Sequence, residues 1–144
     1  MNNTLEALNI TRGILLETIV DIGTRISEIQ QAENKPSYDW DDASIICELN
    51  GCQYLLGPES ENKLTWEDAK VWCESVGGEL PEREILLLAY LNETIKNLFK
   101  GSWYWSSTEF NATTAWRQNF SYGGQVNNDK DGTNYVRAVR KVLI

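Results

Sequence analysis

Leu64-Thr65-Trp66-Glu67-Asp68-Ala69-Lys70, followed by Gly77-Gly78-Glu79-Leu80-Pro81-Glu82-Arg83-Glu84, is the stretch on which the fold turns. Thr65 is a good helix N-cap, and Asp68 three residues on makes an imperfect capping box, where Glu or Gln is usual. A helix is expected from Thr65 through Glu74, with Ala69, Trp72, Cys73 and Val76 on its apolar face. Gly77-Gly78 ends it, because glycine tolerates the left-handed conformation that closes a helix. Pro81 suits the first turn of a second helix, with Ile85, Leu88, Ala89, Ile95 and Leu98 on its buried side.

Working outward, Ile45-Ile46-Cys47-Glu48-Leu49 and Cys52-Gln53-Tyr54-Leu55-Leu56 flank Asn50-Gly51, a strong β-hairpin signal. After Gly101 short runs alternate with Asn, Gly, Asp and Thr: Trp103 to Ser107, Ala115 to Phe120, Gly124 to Asn128 and Tyr135 to Val142. These read as short antiparallel strands joined by polar loops. Two helices followed by a small, loop-rich sheet make an α+β domain over 45–144.

Upstream, Leu5, Leu8, Leu15, Ile19, Ile22, Ile26 and Ile29 fall at alternating three- and four-residue steps, with Arg12 in one a slot. This is a heptad pattern, and Ile at both a and d in its second half favours trimers. Such a helix is about 37 Å long. Gly13 and Gly23 each cost about 1 kcal/mol of helix propensity, so the packing must come from elsewhere. Residues 1–32 therefore read as a helical oligomerisation or docking stem. The competing reading is an amphipathic helix on its own domain, which Ile10, Ile14, Leu16 and Val20 favour by widening the stripe. Residues 33–44, with Pro36, read as a linker.

The 144 residues carry 13 basic and 21 acidic side chains, net −8, distributed as −2 over 1–36, −9 over 37–99 and +3 over 100–144. That balance gives no basic footprint for a nucleic acid or an anionic membrane. The longest apolar run, Ile14 to Ile22, is broken by Glu17 and Asp21, so no membrane insertion is expected. The chain has no histidine, which removes Ser-His-Asp and Cys-His catalysis and His-ligated zinc. Of Cys47, Cys52 and Cys73, an odd one must stay unpaired. Buried free thiols and one hairpin disulfide are both open. No basic n-region precedes an apolar run at the start, so no signal peptide is expected.

The quoted helix pair, with Trp105-Ser106-Ser107-Thr108-Glu109, Ala115-Trp116, Asn119-Phe120 and Tyr135-Val136-Arg137-Ala138-Val139-Arg140, resembles the W-x-x-A…G-G-x-L-P-x-R-x-E pattern of C-type-lectin-like domains. The combination resembles the Lcl C-terminal domain family, a bacterial and phage branch of that fold, over roughly 45–144. The resemblance implies a head of two helices and small antiparallel sheets. In some members an Asn- and Tyr-rich C-terminal stretch is the diversified ligand-binding face of a retroelement variable protein; others sit at the ends of phage fibres. The Glu-Pro-Asn, Gln-Pro-Asp and Trp-Asn-Asp motifs that hold calcium in sugar-binding members are missing here. The late cysteine pair of the formylglycine-generating enzymes is missing too. Neither activity carries over.

Three constellations remain. Asn127-Asn128-Asp129-Lys130-Asp131-Gly132 matches half a calcium loop, but Ala138 stands where a bidentate Glu is needed. A polar turn is the expectation, a weak cation site the alternative, and no metal or cofactor is assigned. Glu59, Glu61, Glu67 and Asp68 read as a solvated acidic stretch, because acids favour helix starts. Trp105, Trp116 and Phe120 read as core. The polar positions between them, Asn111, Thr113, Thr114, Arg117, Gln118, Ser121, Tyr122, Gln125, Asn127, Asn128, Asp129 and Asp131, combine amides and hydroxyls with one ring, the chemistry of adaptable binding faces. Plain solvated loops are the competing reading.

The expectation is a non-enzymatic virion fibre or spike protein, made in the bacterial host cytoplasm and carried on the virion surface. It would associate as a homo-oligomer, trimer favoured, and with other virion proteins. Its head would bind a host-surface glycan or protein. The alternative is a structural decoration or connector with no ligand of its own.

Overall fold

Asn50-Gly51 turns the chain as its chemistry requires. In the computed structural model, which describes residues 38–144, Asn50 has φ 54° and Gly51 φ 75°, the doubly left-handed geometry of a tight hairpin turn. It joins β1 (Ile45–Leu49) to β2 (Cys52–Glu59), and the register Leu49↔Cys52 closes the hairpin. The heptad positions Leu5 to Ile29 and residues 33–37 of the expected linker lie outside the described residues.

Helix α1 (Trp66–Ser75) starts where its cap demands: Thr65 Oγ1 accepts from the Asp68 N–H at 3.4 Å. It ends in a Schellman arrangement. Gly77, at φ 81°, donates to Glu74 O, and Gly78 donates to Cys73 O at 2.9 Å. The second helix is shorter than the sequence predicts. Helix α2 (Arg83–Leu91) stops at Asn92, whose Oδ1 caps the separate turn α3 (Glu93–Lys96) by accepting from Ile95 N–H at 3.3 Å. That break rotates Leu98 to the surface, 48% exposed, where a continuous helix would have buried it. The α2 N-terminus begins two residues after Pro81, and Thr108 supplies its cap from the neighbouring sheet, with Oγ1 accepting from Arg83 N–H at 3.0 Å.

Strands β3 (Trp103–Glu109), β4 (Thr114–Asn119) and β5 (Gln125–Asp129) form one antiparallel sheet with β4 in the middle. Strand β6 (Arg137–Leu143) returns to pair with β2, giving a second antiparallel sheet, β1-β2-β6. The described residues are therefore α+β, with three α-helices and two small antiparallel sheets.

Two apolar clusters hold these layers. One joins Tyr54 and Leu56 to Ile85, Leu86, Ile95, Phe99, Tyr104 and Phe120. The other joins Trp40 and Trp66 to Cys73, Trp105, Val136 and Ala138. Each fully buried large side chain contributes about 1.5–3 kcal/mol. The buried indoles keep their N–H groups satisfied, as they must: Trp40 donates to Val76 O, Trp66 to Ser106 O and Trp105 to Leu64 O, each at 2.8 Å.

The linker expected over 33–44 ends sooner. Trp40 is 5% exposed. Its ring lies against Gly78, where a Cβ would come within 2.9 Å of it, and Gly57 closes the slot from the other side. Cys47, Cys52 and Cys73 are all free thiols. Among the described residues no helix is long and apolar enough to cross a membrane.

Candidate functional site

The β3-β4-β5 sheet carries the polar positions singled out above, and its register separates them into two groups. Thr114 pairs with Asp129 at one end of the β4–β5 ladder and Gln118 with Gln125 at the other. Four residue steps put the ends about 13 Å apart. Asn111, Thr113, Asn128, Asp129 and Asp131 belong to the first end. Arg117, Gln118, Ser121, Tyr122 and Gln125 belong to the second, with exposed Asn127 between them opposite Trp116.

The first end is occupied with itself. Asn111 Oδ1 accepts from the backbone N–H groups of Thr113 (3.0 Å) and Thr114 (2.8 Å) and from both their hydroxyls. That carbonyl oxygen builds the β3–β4 turn and leaves little for a ligand. Lys130 Nζ is held between Glu109 Oε2 at 3.2 Å and Ala112 O at 2.9 Å. Asn127 to Asp129 form the tail of β5, and Gly132 closes a turn onto Asp129 O at 2.9 Å, so this segment is strand and turn.

The second end is built differently. Asn119 Oδ1 accepts from Ser121 N–H at 2.7 Å and Tyr122 N–H at 3.1 Å, which throws Tyr122 outward, 66% exposed. Gly123 follows at φ 84°, with the Tyr90 ring where a side chain would be. The Tyr122 ring meets Trp103 edge-on, centroids 5.9 Å apart at 89°. The Arg117 guanidinium lies over the same Trp103 ring at 4.1 Å. Arg117 Nη1 donates to Asn134 Oδ1 at 3.2 Å. Burial pushes its pKa below the usual arginine value, and Tyr122 partly offsets this.

Beneath this patch runs an amide ladder. Gln118, read from the sequence as a surface residue, is fully buried. It sits on the middle strand, where the pleat turns it inward. Its Nε2 donates to Asn119 O at 3.1 Å, and its Oε1 accepts from Gln125 Nε2 at 2.7 Å. Gln125 Nε2 also donates to Arg83 O at 2.8 Å, and Gln125 Oε1 accepts from Arg83 Nε at 2.9 Å. Gln118 and Gln125 thus brace the β4–β5 turn and are not themselves presented. Trp116, expected in the core, is only partly buried, stacked by Arg83 and met edge-on by the 54% exposed Phe110. Trp72 likewise stays partly buried.

Trp103 is the member that sequence reasoning left unassigned. The signal was present: Trp103 and Trp105 are two apart on one strand and share a face. Trp105 pairs with Arg117, so Trp103 comes within reach of the same arginine. Asn134 gave no signal, being an ordinary loop asparagine in sequence.

The acidic stretch is dispersed. Glu67 and Asp68 are exposed at the start of α1, Glu67 pairing with Lys70 at 3.0 Å. Glu59 accepts from the Tyr104 hydroxyl and pairs with Lys100 at 3.4 Å. Among the described residues no group of three or more Cys, Asp or Glu is placed to hold a metal ion. No protein-family model matches the chain, and no curated protein sequence matches it.

Proposed function

We propose that this chain is a phage virion fibre or spike protein whose head binds a glycan or protein on the host surface without a metal or cofactor. The observation that carries the reading is Tyr122. A large ring two-thirds exposed, at 66%, stands on a turn built to hold it, beside Trp103 and Arg117. Rigid aromatic anchors set among adaptable polar groups are what a binding face needs. The α+β arrangement agrees with the resemblance to C-type-lectin-like domains of the Lcl type, from which the virion assignment comes. The heptads of residues 5–29 support a trimeric stem that would join the head to other virion proteins at the particle surface.

The test is retention of the purified full chain on intact cells from a panel of bacterial strains. The reading expects retention by some strains and its loss in Tyr122→Ala. Retention that is indifferent to Tyr122→Ala, or retention by no strain, contradicts it.

A second reading, a decoration or connector without a ligand, draws support from the other sheet. There Leu49 and Leu143 flank Cys52 across the sheet with Ile144 beside them at the hairpin turn, exposed at 38%, 84% and 65%, and exposed apolar clusters mark packing surfaces. It expects Leu143→Asp to abolish incorporation into particles while Tyr122→Ala leaves particles intact and infectious.

A further inference from the structure

We draw no further inference here: the strongest candidate, the cleft beside α1 that Glu74, Glu79 and Glu82 line over Tyr54, Leu80 and Val139, is a cluster of acidic side chains, and none of the buried polar atoms left without a partner among the described residues belongs to it, so nothing in the structure points to what it would hold.

Discussion

The guanidinium of Arg83, the first residue of α2, lies 3.7 Å from the ring centroid of Trp116 on β4, and its Nε donates to Gln125 on β5. One side chain thus clamps the helix to two strands of the sheet that carries the candidate site. Arg83→Ala is expected to cost about 1–3 kcal/mol in chemical denaturation, from the lost stack and the unpaired Gln125. Arg83→Lys should recover only part, because an ammonium cannot stack and fork as a guanidinium does. Unchanged stability in Arg83→Ala would remove the clamp from the account.

Two glycine substitutions should rank in a set order. At Gly51 an added Cβ meets nothing within 4 Å, so only its φ of +75° opposes Ala, at about 1 kcal/mol. At Gly78 the same Cβ lands 2.8 Å from Val139 O and 2.9 Å from the Trp40 ring. Overpacking of that kind costs about 1–3 kcal/mol or more. Thermal melts of Gly51→Ala and Gly78→Ala test the slot that holds Trp40; equal losses would argue against it.

Cys73 should set part of the alkaline stability. Burial, aided by Glu79 and Glu74, pushes its thiol from 9.0 up to about 12. Above pH 9 the unfolded chain releases this proton while the folded chain keeps it. The stabilisation is complete below 9.0 and is lost as pH rises toward 12. Urea midpoints should decline over that range, and less steeply in Cys73→Ala. In the native protein a thiol reagent should reach the partly buried Cys47 well before Cys73. Parallel declines in both proteins would contradict this.

The heptads make a separate prediction. Sedimentation of the full chain should give a trimer, and Ile19→Asp combined with Ile26→Asp should give a monomer, since two further a positions would then bring carboxylates together in the seam in place of apolar packing. A monomeric parent chain would remove the stem.

Local chemistry made much of this fold legible. Asn50-Gly51 specified a turn, Thr65 a helix start and Gly77-Gly78 a helix end, each acting through neighbours a few residues away. What stayed hidden depends on distant partners. Asn92 breaks the second helix because its side chain caps the next turn, a choice that apolar periodicity does not encode. Trp40 looked like part of a linker because its partners, Gly57, Gly78 and Val76, are remote in sequence. Gln118 looked exposed because period-2 alternation marks two faces without saying that a middle strand is covered on both. The same limit divided the proposed binding residues. A contiguous polar run becomes two ends of a ladder, and only the end at Tyr122 gathers aromatic and cationic groups.

The most direct test of that patch is hydroxyl-radical footprinting of the full chain, free and on cells of a strain that retains it. Tyr122 and Trp103 are predicted to become protected, while Phe110, 54% exposed beyond the other end of the ladder, keeps its reactivity. Protection of Phe110 or of Leu143 and Ile144, with Tyr122 unchanged, would contradict the account.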